Sequence, residues 1–186
     1  MQRSKKIVLL SHCILNANSK VEGLATYSGA MQSVVSLLIE EGIGIIQLPC
    51  PEMALYGIKR WGQVKEQFDT PYYRKHCRSI FTPYMDQIKD YINKGYEIVG
   101  LIGIDGSPSC GVTETCSGNW CGEFMNEADV LEKMKTLKTI QSSGIFIEEI
   151  YKELGSEHID IPTIGINEMN PDESLQAIKT FLRSGK

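Results

Sequence analysis

The stretch Ile98-Val99-Gly100-Leu101-Ile102-Gly103-Ile104-Asp105-Gly106-Ser107-Pro108-Ser109-Cys110-Gly111 decides how this chain folds. Its first half is apolar without alternation, the pattern of a strand buried on both faces of a parallel sheet. Gly106 and Pro108 then stop the strand and permit unusual backbone angles, so Ser107, Ser109 and Cys110 are expected at the sheet's rim and not in its core. Rims made by the C-terminal ends of parallel strands are where such sheets bind ligands.

Working outward, the same strand-to-rim pattern recurs. Lys6 to Ser11 reads as a first strand, with Ile7-Val8-Leu9-Leu10 buried, and it delivers His12 and Cys13. Residues Ser28 to Glu41 carry Val34, Val35, Leu37, Leu38 and Ile39 at helical spacing, with Gly42 as the stop. Ile43 to Leu48 is a second strand, delivering Pro49-Cys50-Pro51-Glu52, where two prolines end the ladder. Tyr73, Cys77, Ile80, Phe81, Tyr84, Ile88, Tyr91 and Ile92 hold a 3.6 period across Pro83. They predict one helix, Pro71 to about Lys94, kinked at Pro83, with a separate helix starting at Thr82-Pro83 as the alternative. Tyr96 to Ile104 is the third strand.

Thr113 to Phe124 reads as a loop insertion, and Leu131, Met134, Leu137 and Lys138 suggest a short helix. Ile145 to Leu154 is an amphipathic helix ended by Gly155, and Pro162 to Ile166 a short strand. Asn170-Pro171-Asp172-Glu173 has the form of a helix start, and Leu175, Ile178, Phe181 and Leu182 carry that helix to the chain end. Strand and helix alternate throughout. The expected fold is therefore a single domain over 1–186: a three-layer, Rossmann-like α/β fold, with a parallel sheet and helices on both faces.

Composition narrows the function classes. The 186 residues are 42% apolar and 23% charged, with a net charge of -4 and a pI near 5.5. No basic block exists to track phosphates, which argues against nucleic acid as a partner. The apolar run after the N-terminal lysines is short and lacks a cleavage-type continuation, and no stretch reaches the roughly 20 apolar residues of a membrane span. No membrane partner is expected, and the expected location is cytoplasmic. Six cysteines in a chain expected to carry no export signal point to buried, catalytic or metal-bound thiols and away from disulfides.

Three of those thiols, Cys13, Cys50 and Cys110, follow the ends of three strands. Parallel strands bring such positions to one rim. Three sulfur ligands with no evident fourth suit a metal centre with an open site, and soft sulfur selects zinc, copper(I) or an iron–sulfur cluster. A cubane held by three cysteines leaves one iron free to act as a Lewis acid. Cys77 falls on the helix periodicity and reads as core packing. Cys110, Cys116 and Cys121 form a C-x5-C-x4-C series that matches no common zinc motif, so Cys116 and Cys121 stay open between extra ligands, a redox pair and no function.

Proton-handling groups surround the thiols. Glu52, two residues after Cys50, is a candidate general acid or base. Ser107 and Ser109 are candidates to bind an oxyanion or a substrate heteroatom. His12 is open to three readings: proton shuttle, donor to sulfur, or plain strand-end histidine. His76 and His158 receive no role.

With Ser11-His12-Cys13-Ile14-Leu15, Cys50-Pro51-Glu52 and Gly106-Ser107-Pro108-Ser109-Cys110-Gly111 in view, the chain resembles the thiouracil desulfurase family. The resemblance implies a [4Fe-4S] cluster on Cys13, Cys50 and Cys110, with Glu52 and Ser107 as acid–base and substrate-orienting residues. The reaction it implies takes sulfur from a thiolated pyrimidine and releases sulfide without net redox change. Two loops depart from that family's pattern: Asn16-Ala17-Asn18-Ser19-Lys20 after the first cysteine, and Met53 to Gly62 after Cys-Pro-Glu. Both lie at the expected rim, so the expectation is a desulfurase-related enzyme acting on a small thiolated molecule, with Asn16, Lys20 and Arg60 as substrate-binding residues. Two other classes compete: a non-catalytic iron–sulfur or zinc module, acting as sensor or carrier, and a metal-free cysteine-nucleophile enzyme.

Overall fold

The computed structural model describes residues 2–184. Four strands, β1 (Lys6–Leu10), β2 (Gly44–Gln47), β3 (Glu97–Ile104) and β6 (Thr163–Ile166), form one sheet in the order β2-β1-β3-β6. Every pairing in it is parallel, with Leu10 opposite both Gln47 and Ile102. The continuous apolar runs are thus buried on both faces, as parallel strands between two helical layers must be.

Side chains alternate across the central strands. Ile7 and Leu9 of β1, with Ile98 and Leu101 of β3, face a core completed by α5 (Pro71–Asn93) and α7 (Ile145–Ser156). Val8, Leu10, Ile102 and Ile104 face the opposite core, with α2 (Gln32–Glu40) and α8 (Pro171–Ser184). The fold is the expected α/β sandwich of three layers. The helix across Pro83 is unbroken, and Cys77 is fully buried within it. The last two residues of the expected C-terminal helix lie outside the described residues.

Other expectations need correction. The supposed loop insertion contains β4 (Glu114–Ser117), which pairs antiparallel with β5 (Lys138–Gln141) as a separate two-stranded sheet. The intervening α6 (Glu127–Met134) stops before Leu137 and Lys138, because Lys138 is already paired with Ser117. Three short helices, α1 (His12–Leu15), α3 (Pro51–Tyr56) and α4 (Lys65–Phe68), lie in segments where no helix is expected. Gly155 lies inside α7 and does not end it. Among the described residues no helix is long and apolar enough to cross a membrane.

The α5–α7 seam carries a charged network. Glu149 is 1% exposed and is paired with Arg74 at 2.6 Å, Lys152 at 2.7 Å, and Arg78. Burial pushes its carboxyl up, but the hydrogen bonds from Lys152, Arg74 and Arg78 outweigh that and bring it down to about 2. A carboxyl depressed in the folded state stabilises above its unfolded pKa and loses that stabilisation as the pH falls through the folded value. The melting temperature is therefore expected to fall between about pH 5 and pH 2. Glu149→Gln should start lower and flatten that slope; an unchanged slope would remove Glu149 as its source.

Candidate metal centre and its acid–base neighbours

The three thiols occupy one rim. Cys50 caps α3 just after β2, Cys13 lies in α1 just after β1, and Cys110 follows β3, so their strands are immediate neighbours. Proline at the first position of α3 fixes the turn, and the Cys50 Sγ accepts the Met53 N–H at 3.4 Å. Gln47 Nε2 donates to the His12 carbonyl at 2.9 Å, and His12 Nδ1 lies 3.3 Å from the Leu48 carbonyl. These bonds tie the ends of β1 and β2 together.

The loop after β3 is held from three sides. Gly106 turns the chain at φ +85°, a left-handed conformation that side chains resist. The Asp105 carboxylate accepts the N–H groups of Val112 and Thr113, both at 2.9 Å, and Ser107 Oγ accepts the Cys110 N–H at 3.0 Å. The N-terminal amides of α7 complete the clamp: Ile145 N–H donates to the Pro108 carbonyl and Phe146 N–H to the Ser109 carbonyl, each at 3.0 Å. Gly144 makes this approach possible, since a Cβ there would stand 2.5 Å from the Ser109 carbonyl carbon and 2.9 Å from the Cys110 nitrogen. Gly144→Ala should displace Cys110, lowering both the melting temperature and any metal content. Full retention of both would show that the loop yields freely.

Burial raises all three thiols. Cys13 is pushed up to about 12, first by burial and then by the Cys50 charge. Cys110 is raised well above the ordinary thiol value, first by burial and then by the charges of Cys13 and Cys50. Cys50 rises mainly through burial, with the Met53 N–H pulling the other way.

Among the described residues, no three His, Cys, Asp or Glu side chains are gathered as ligands about a single ion. The cysteines of a cubane bind different irons and not one ion, and an all-sulfur donor set is compatible with such a group. Every candidate ligand is sulfur, and two of the sulfurs have a hydrogen-bonding group beside them: the Met53 N–H at Cys50 and Ser109 Oγ, 3.5 Å from the Cys110 Sγ. Residues that would hold such a group are Cys13, Cys50 and Cys110.

Glu52 joins the second and third thiols. It is buried, and its Oε1 accepts from Ser109 Oγ at 2.5 Å while its Oε2 accepts from Arg60 Nε at 3.0 Å. Ser107 Oγ lies 3.3 Å from Ser109 Oγ, so a hydroxyl chain runs from Ser107 through Ser109 to the carboxylate. All three expected catalytic residues are thereby in contact. Arg60 reaches the site through Glu52; its Nη2 and Nη1 donate to the Ser19 and Gly57 carbonyls at 2.8 and 3.4 Å. Lys20 is paired with Glu168 and donates to the Leu24 carbonyl at 3.2 Å. Asn16 turns its amide oxygen to Asn18, capping a 3-10 turn. Lys20 also lines an open groove of about 450 Å³ with Asn18, Tyr27, Ile58 and Lys59.

Glu168 and Tyr73 escape sequence reasoning as members of the site, whereas Cys116 and Cys121 are open candidates from the sequence. Glu168, just past the end of β6, acts on the Cys13 thiol, and its buried Oε1 has no partner among the described residues. Its position carries a readable signal, since β6 ends on the same rim. Tyr73 reads as core from its periodicity, yet its buried hydroxyl has no partner among the described residues. Cys116, on β4, is raised to about 11, mainly by burial, with Glu52 among the charges acting on it. Its Sγ donates to the Gln63 carbonyl at 3.4 Å. Cys121 is exposed, beside Asn119 Oδ1 at 3.2 Å.

Over 129 residues the chain is 40% identical to "Uncharacterized protein MJ0003" of Methanocaldococcus jannaschii, an alignment spanning 69% of this chain and 81% of that protein. The chain belongs to the MJ0003 family. No family model matches the chain, and no solved structure matches it. The shared family carries no statement about chemistry, so the reading of this member rests on its rim.

Proposed function

We propose that the chain is an iron–sulfur-dependent desulfurase that replaces the sulfur of a small thiolated compound with oxygen from water and releases sulfide. The observation that carries this reading is the union of two sets of groups: three thiols at the ends of neighbouring strands, and a buried carboxylate bonded through Ser109 to one of them. When bound, the cluster's contribution is Lewis acidity toward the substrate's sulfur. In the balanced reaction a thiocarbonyl and water become a carbonyl and hydrogen sulfide. The carbon–sulfur bond breaks, a carbon–oxygen bond replaces it, both protons of the water leave on sulfur, and no electrons are gained or lost.

The chain's own residues then handle protons and orientation. Glu52 takes a proton from the attacking water and returns one to the departing sulfur, the ordinary work of a placed carboxylate. Arg60 and Ser109 hold that carboxylate in one orientation, and Ser107 presents a hydroxyl to the substrate's heteroatom. In this reading the remainder of the molecule lies toward the groove lined by Lys20, Tyr27 and Ile58.

Anaerobic reconstitution of the full chain, followed by iron, sulfide and zinc analysis and a sulfide-release assay on thiolated compounds, tests this reading. About four irons and four sulfides per chain, with sulfide released from at least one compound, are expected. Zinc alone, or no metal, would overturn it.

A further inference from the structure

Tyr73 belongs to the first turn of α5, where its N–H is capped by Thr70 Oγ1 at 3.2 Å. Its ring is stacked on Phe68 at 4.6 Å between centroids and on Tyr56 at 6.1 Å, which fixes the direction of the hydroxyl. The residue is fully buried, and that hydroxyl finds no acceptor among the described residues. This start of α5 packs against α3, the helix that Cys50 caps: Tyr56 of α3 is the ring stacked on Tyr73, and His76 Nε2 lies 3.1 Å from the Pro51 carbonyl. Tyr73 also shares one buried cluster with Cys77 and Cys110, so it lies under the floor of the rim site. The charged groups acting on it are Glu52, Cys77, Cys110 and Cys50. Burial, with those charges, raises its pKa, and the hydroxyl stays a donor. Leaving a buried donor unpaired is costly, and such a group in a native structure calls for a specific explanation, an ion or bound group at the site among them.

We propose that Tyr73 is a positioning residue whose hydroxyl donates to the sulfur assembly at Cys50 and Cys110 once metal is bound. This inference rests on the cluster reading above. A neutral thiol is a weak acceptor, whereas the thiolate that metal ligation requires is a strong one. The hydroxyl is therefore unsatisfied in the metal-free chain and satisfied in the loaded one. Removing it has opposite consequences in the two states, which a purely structural tyrosine does not produce.

The test compares wild type with Tyr73→Phe, each metal-free and after anaerobic reconstitution. Metal-free Tyr73→Phe should melt about 2–4 °C higher than wild type, the shift expected for relieving one unsatisfied buried group in a domain of this size. Reconstituted Tyr73→Phe should lose iron to a chelator about tenfold faster or more, as expected on loss of a charge-assisted hydrogen bond. A lower metal-free melting temperature would show that the hydroxyl already has a partner, and unchanged iron retention would show that it does not reach the sulfur. Either result overturns the inference while leaving the cluster in place. Wild type that takes up no iron removes the cluster reading, and this one with it.

Discussion

Glu52→Gln should lower sulfide release by about 10²–10⁴-fold, the usual contribution of a general acid or base, while the visible absorption of the reconstituted cluster persists. Glutamine matches the size of the side chain it replaces. Its oxygen can still accept from Arg60, and its amide can donate to Ser109 Oγ with the hydroxyl reversed, so the contacts at 3.0 and 2.5 Å have isosteric substitutes. What disappears is the ability to exchange a proton. A second cost follows from the ion pair: the Arg60 side chain is only 5% exposed, and removing one charge of a buried pair typically destabilises by about 3–5 kcal/mol. Assays therefore belong well below the melting temperature of the variant. A variant that keeps nearly full activity would make Glu52 a support for the loop, as would one that never acquires the cluster's absorption. Ser107→Ala would then be the next substitution to measure.

The parts of this site that the sequence makes legible are those written into one strand and the few residues after it. β1 and β3 are continuous apolar runs because both their faces are covered, so Cys13 and Cys110 are placed at strand ends by pattern alone. Cys50 follows in the same way from β2 and its two prolines. The hairpin of β4 and β5 is hidden for the opposite reason. Glu114-Thr115-Cys116-Ser117 and Lys138-Thr139-Ile140-Gln141 are short and mostly polar, and β5 buries almost nothing, so neither offers an apolar period to read. The α3 helix, with six residues, is too short for periodicity to reveal it. The partners of the catalytic groups are hidden by distance along the chain: Ser109 meets Glu52 across 57 positions, and Lys20 meets Glu168 across 148. Such pairs follow from the folded topology and have no local signature. The same holds for the bonds of Arg60, its Nε to Glu52 and its terminal nitrogens to two carbonyls.

The largest effect is expected for Cys110→Ala, which should abolish both iron binding and sulfide release. Cys110 is buried, and its thiol is the one acted on by both other candidate ligands, so no nearby exposed group can replace it from solvent. The surrounding loop should survive the change. Its hydrogen bonds run through the Cys110 backbone and through Ser107, Ser109 and Asp105, and Gly144 packs on backbone atoms. A folded, metal-free variant is thus the expected product, and a retained cooperative melting transition checks it. Two other thiols serve as controls of opposite kinds. Cys121→Ala touches an exposed side chain and should leave iron, sulfide and activity at wild-type levels. Cys77→Ala removes a fully buried thiol from the α5 core and should lower the melting temperature while sparing the iron. If Cys110→Ala kept about four irons, Cys110 would lose its place as a ligand, and Cys116, whose thiol also senses Glu52, would be the next cysteine to replace.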